Sequence, residues 1–189
     1  MEQLWLTIRE QWLVIGAFIA FMSLLRLVDA RAGGSFNERL ALEPRAAQSP
    51  LAFLSYAFVH IDRRHLFGNL LFFIPFGWLM LFQGVRVFLA ATAIITLVTA
   101  IGVWIFGSRG SKQLGSSGLN LGYFGYLLSF GFFNRDAGMI FLSIFIFIGF
   151  FSLFRQVIPF QRGVSTSGHF FGFLSGIVAA YSLAWYFAQ

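Results

Sequence analysis

Six apolar stretches dominate the chain, at residues 12–28, 66–82, 85–106, 117–133, 138–154 and 168–187. Each approaches the roughly 20 residues that carry a helix across the hydrocarbon core of a bilayer. Lipid offers backbone groups no hydrogen-bonding partner, so runs of this length predict helices, which pair their own N–H and C=O groups. The composition agrees, with 58% apolar residues and only 11% charged, where soluble domains have about half and a quarter. The expected architecture is all-α, a polytopic helical bundle with six transmembrane helices in a single domain over residues 1–189.

The opening Met1-Glu2-Gln3-Leu4-Trp5 carries an acid and no basic cluster, so the first apolar run is expected to stay as a helix rather than serve as a cleaved signal. The longest connection, 29–49, contains Gly33-Gly34 and Pro44 and reads as an exposed loop or interfacial segment. Residues 50–59 are apolar but too short to span, so they should lie at the membrane surface or dip into it. Pro75, inside the second span, should remove one backbone hydrogen bond and kink the helix.

Several function classes fall away at this stage. The chain has no cysteine, which removes disulfides, thiol chemistry and cysteine metal sites. No metal or cofactor is implied. A net charge of +6 could suggest nucleic acid, but the basic residues are scattered between apolar segments, and binding nucleic acid requires them clustered. A transporter reading lacks an inverted repeat and an intramembrane acid to carry protons.

In a bilayer the informative residues are polar ones at depth, because each is costly unless paired or functional. His65 and Asn69 stand four apart and share a helix face. Taken alone, the pair is more simply interhelical hydrogen-bonding glue. His60, five residues earlier, reads as a structural histidine bonded to loop backbone. Ser117 lies in Gly115-Ser116-Ser117-Gly118, where glycines on both sides leave the hydroxyl accessible. Gly118, Gly122 and Gly125 continue the helix as a small-residue stripe, which packing alone would explain. His169 heads a second stripe with Gly172 and Gly176. Packing stripe on stripe would bring the imidazole toward the Ser117 hydroxyl, within the ~3 Å that a nucleophile and its base need.

Three segments, Phe58-Val59-His60 through His65-Leu66-Phe67-Gly68-Asn69, Gly115-Ser116-Ser117-Gly118, and Gly168-His169-Phe170-Phe171-Gly172, together resemble the signature segments of rhomboid intramembrane serine proteases. Their order and spacing resemble the six-helix rhomboid core over nearly the whole chain. The resemblance implies that Ser117 attacks a peptide carbonyl, that His169 takes its proton as the second member of a catalytic dyad, and that His65 and Asn69 help hold the oxyanion. It implies transmembrane-protein substrates cut within the lipid bilayer. The alternative within the same likeness is an inactive relative that binds transmembrane helices without cutting them. Family members commonly carry an aromatic residue four positions after the nucleophile, where this chain has Leu121, preceded by Asn120. The first loop also lacks the Trp-Arg pair of well-known bacterial members.

Imidazole and hydroxyl carry no charge at rest, which suits a membrane interior better than a lysine or carboxylate base. The resemblance further implies a plasma or inner membrane location with the site opening to the extracytoplasmic side. That orientation leaves only Arg9, Arg86 and Arg135 of thirteen basic residues on the inner side. Loop charge taken alone favours the reverse.

Overall fold

The computed structural model describes residues 2–157 and 166–187. Helices follow one another as α1 (Glu2–Arg31), α2 (Ser35–Leu40), α3 (Ala52–Ser55), α4 (Arg63–Leu81), α5 (Val85–Phe106), α6 (Ser117–Asn134), α7 (Ala137–Gly149), α8 (Phe151–Val157) and α9 (Thr166–Phe187). No strand occurs among the described residues; one isolated antiparallel bridge joins Leu42 to Gln113. The protein is therefore all-helical, and its exposed residues include Phe21, Leu24, Leu71, Ile101, Phe145, Ile148 and Val178, an apolar exterior that water would not tolerate over so much of a helical surface.

Among the described residues, four helices are long and apolar enough to cross a membrane: Ile8–Arg31 within α1, α4, α5 and Ser167–Tyr186 within α9. The fifth expected span is not one straight helix. It breaks at Phe150 into α7 and α8, bent by 79°, so that α8 turns away from the α7 axis. The fourth expected span, α6, has the length but not the hydropathy, because its glycines, tyrosines, Ser129, Asn120 and Asn134 dilute the apolar residues. Its burial explains why this is tolerated. Twelve of its 18 residues are buried, since α6 packs against α4, α5, α7 and α9 and meets protein where the outer helices meet lipid. Pro75 does not end α4, which runs continuously to Leu81.

Side-chain chemistry fixes the ends of these helices. Asp62 caps α4, its carboxylate accepting from the His65 backbone N–H at 2.7 Å, and this hydrogen bond holds the Asp62 carboxyl below the usual carboxylate range. Asp136 caps α7 in the same way through Met139 N–H at 3.0 Å. At the opposite end of the bundle, Gln11 is buried in α1. It accepts from Trp78 Nε1 at 2.7 Å and donates at 3.4 Å to the Leu81 carbonyl, which also accepts from the Gly84 N–H at 2.9 Å.

The 29–49 connection is less exposed than its composition suggests. Leu42 is fully buried, and it exchanges two backbone hydrogen bonds with Gln113, at 2.9 and 2.8 Å, tying this loop to the chain that leads into α6. Arg45 reaches the end of α5, donating to the carbonyls of Ile105 and Gly107. The 50–59 segment packs inward through Ala52, Tyr56, Ala57 and Val59 and leaves Leu51 and Leu54 exposed. Tyr56 anchors it by donating to the Thr96 carbonyl of α5 at 3.1 Å.

Candidate active site

The end of α1 and the start of α4 share a face, Arg26 adjoining Asp62, Arg63 and Arg64, and α6 and α9 begin together at Ser117 and His169. Ser117 is the first residue of α6, and His169 sits in the first turn of α9. Two helices can bring such residues together only if their backbones approach closely, and the two glycine stripes allow it. A Cβ at Gly172 would lie 2.3 Å from the Gly118 carbonyl oxygen, one at Gly176 1.9 Å from that of Gly122, and one at Gly125 2.3 Å from that of Phe173. No side chain larger than hydrogen fits at these positions without moving backbone. Thr99 of α5 and Ser175 of α9 add a buried hydroxyl pair at 2.8 Å.

This approach leaves His169 Nε2 3.0 Å from Ser117 Oγ. The imidazole is buried and the serine partly exposed, and the backbone of Gln156 in α8 borders the histidine ring. A cavity of about 190 Å³ opens beside the pair, lined by Gly68, Asn69, Phe72, Ser117, Asn120, Leu121, Leu153 and Gln156. A volume of this order holds several waters or a peptide group.

His65 and Asn69 converge on the loop just before Ser117. Gly115 has φ +104°, and a Cβ there would lie 2.6 Å from His65 Cε1 and 3.2 Å from Asn69 Nδ2, so this glycine is required both for its conformation and for its lack of a side chain. Asn69 is buried, and its Nδ2 donor has no partner. Leaving such a group unpaired costs ~1–3 kcal/mol, a cost that an acceptor arriving in the cavity would offset.

His60 underpins the same loop. Its Nε2 lies 3.4 Å from both the backbone nitrogen and the hydroxyl of Ser116, and its ring stands edge-on to His65 at 5.3 Å. Burial, reinforced by the neighbouring His65, lowers its pKa to about 4. It is uncharged at neutral pH and can accept from the Ser116 N–H. Its carbonyl accepts from Asn37, which also bonds twice to the buried Asp29 at the end of α1. Asn69 and Ser117 thus line the cavity, His65 and Asn69 border the loop before Ser117, and His169 joins them through its contact with Ser117.

The structure adds residues that sequence reasoning passed over. Asn120 donates to the Asn69 carbonyl at 2.9 Å and lines the cavity; a polar residue three positions after Ser117 in an apolar helix was the available signal. Leu153 and Gln156 reach the cavity from α8, and Gly149, the last residue of α7, was the available signal for the bend that brings them there.

A membrane helical bundle with a serine and a histidine joined across two glycine-packed helices narrows the protein class considerably, and comparison with known sequences narrows it further. The sequence profile of the rhomboid domain matches residues 47–186. Uncharacterized proteins of Mycobacterium bovis and Mycobacterium tuberculosis are each 30% identical over 190 residues, covering 94% of this chain and 79% of the relative. One of Mycobacterium leprae is 30% identical over 189 residues, covering 93% and 74%. The chain belongs to the rhomboid family, and that membership supports an intramembrane protease-type function.

The packing predicts a contrast between two glycines. Gly176→Ala should lower the melting temperature in detergent by several degrees, since overpacking costs ~1–3 kcal/mol and the obstacle is backbone. Gly16→Ala, where nothing lies within 4 Å, should be neutral or slightly stabilising. Equal melting temperatures for Gly176→Ala and the unmodified protein would show that the α6–α9 contact is looser than described.

Proposed function

We propose that the protein is a rhomboid-type serine endopeptidase that cleaves transmembrane helices of membrane-protein substrates, with Ser117 as nucleophile and His169 as general base. The observation that carries this reading is the 3.0 Å contact between His169 Nε2 and Ser117 Oγ in a chain of this family. For Nε2 to accept the serine proton, Nδ1 must hold the ring hydrogen. Ser117 Oγ then attacks the scissile carbonyl carbon while its proton passes to Nε2. The tetrahedral oxyanion accepts hydrogen bonds from Asn69 Nδ2 and from His65, donors already in place before charge develops. His169 returns the proton to the leaving amine, and water entering the cavity repeats the sequence on the acyl-enzyme. No carboxylate is needed to complete the dyad.

The proposal includes six membrane crossings in one domain, with α6 as the crossing shielded by its neighbours and the α7/α8 pair as the broken fifth. A second reading, an inactive helix-binding rhomboid, is favoured by Leu121, which lines the cavity where family members commonly place an aromatic residue against the catalytic histidine.

The two readings separate on cleavage of a generic single-span substrate in proteoliposomes. Ser117→Ala and His169→Ala should each abolish turnover with little change in melting temperature. Asn69→Ala and His65→Ala should each lower it by ~10- to 1000-fold, as loss of one oxyanion donor does. Turnover surviving in Ser117→Ala, or absent from the unmodified protein with every substrate, would defeat the protease reading.

The site is further proposed to open to the extracytoplasmic side of the plasma or inner membrane. With no native cysteine, Ser35→Cys and Asn134→Cys report the two faces. A membrane-impermeant maleimide added to intact cells should label the first and spare the second until lysis. The reverse pattern would mean that the loop charges govern orientation and that Ser117 faces the cytoplasm.

A further inference from the structure

On the same face as Ser117 lies a pocket that the dyad does not use. Its volume is about 410 Å³, and it is lined by Arg26 of α1, Asp62, and Arg63 and Arg64 of α4. Three arginines share this pocket with one carboxylate, which is already engaged by the His65 N–H. Arg26 has a long ion pair with Asp29 at 3.5 Å, while its buried Nε has no partner. Among the described residues, neither Arg63 nor Arg64 forms an ion pair.

The placement of Arg63 and Arg64 is unfavourable on its own terms. They occupy the first turn of α4, the positive end of the helix dipole, where acids are stabilising and bases are not. Two cations there, with a third arriving from α1, share the single Asp62 carboxylate, which leaves an excess of positive charge in the pocket. Arginines contributed to one pocket by two helices suit the tetrahedral, multiply accepting oxygens of a phosphate.

The surroundings indicate which phosphate. Phe67 stands four positions after Arg63, on the same face one turn deeper, and it is 64% exposed. Charge above and uncovered apolar surface below match a phospholipid, whose headgroup would fill the pocket while its chains cover Phe67.

We propose that Arg26, Arg63 and Arg64 form a binding site for the phosphate of an anionic phospholipid in the leaflet on the Ser117 side. The site joins the end of α1 to the start of α4, the helix that carries His65 and Asn69, and it holds whichever way the bundle is oriented. It does not depend on the chain being an active protease.

The test uses the full chain in a neutral detergent and follows its melting temperature as lipid is added. Phosphatidylglycerol should raise it saturably, whereas phosphatidylcholine should not. Arg63→Gln combined with Arg64→Gln should shift half-saturation to about tenfold more phosphatidylglycerol, two charge-assisted contacts having been removed. Arg39→Gln combined with Arg109→Gln, on the same face but away from the pocket, should leave it unchanged. Equal responses of the two double variants would overturn the site. A full response to inorganic phosphate alone would overturn the lipid assignment in favour of a free-anion site. Should the Arg63/Arg64 variant fail to fold, the unmodified protein decides: a phosphatidylglycerol bearing a photoreactive group near its headgroup should crosslink within residues 24–31 and 61–68, and crosslinks confined to other segments would overturn the proposal.

Discussion

The carbonyl oxygen of Gly122 lies 1.9 Å from where a Cβ of residue 176 would sit, and much of the molecule is arranged around that close contact between α6 and α9. Lipid gives two helices no hydrophobic reason to associate, so their affinity must come from close packing and hydrogen bonds. The glycines at 118, 122 and 125 on one helix, and at 172 and 176 on the other, let backbone meet backbone. The same approach sets the distance between the first turns, where Ser117 and His169 project. An α6 rich in glycine, tyrosine and asparagine is poor at facing lipid, so the more apolar α4, α5 and α7 surround it. The architecture thus spends hydropathy at its centre to gain a site there.

Around this contact, loops supply what helices cannot. The two backbone hydrogen bonds between Leu42 and Gln113, and that from Gly115 N–H to the Tyr56 carbonyl at 2.9 Å, fix the strand of chain that delivers Ser117. The Asp29, Asn37 and His60 chain of hydrogen bonds extends the support to the end of α1. Lys112 and Glu38 pair across the outer edge of the same connection. The Asn69 side-chain nitrogen, which could have been satisfied within the fold, has no partner among the described residues, and Asn69 lines the cavity. A site that binds a transient charge requires donors kept free in this way.

Much of this was legible in the sequence because membrane folding leaves few choices. Apolar length predicted helices where α1, α4, α5 and α9 stand, and the three- and four-residue spacing of glycines below Ser117 and His169 predicted which faces would meet. Other features depend on tertiary context. The bend at Phe150 falls in an apolar run whose one mark is Gly149, and a lone glycine inside a helical pattern is commonly tolerated, so periodicity could not locate the break. The burial of Leu42 rests on a bridge to a residue 71 positions away, and local composition, rich in glycine and proline nearby, reads only as loop. α4 continues through Pro75 to Leu81, in contact with α1, α5 and α6.

The central claim is that Ser117 is a nucleophile activated by His169 rather than a small residue at a packed interface. Covalent labelling tests it without any need to know the substrate. A fluorophosphonate probe applied to the purified protein in micelles, followed by peptide mapping, should modify Ser117 and leave the adjacent Ser116 untouched, and modification should disappear in His169→Ala. Labelling that persists at full rate in His169→Ala, or that falls on Ser116 or on no serine at all, would contradict the account.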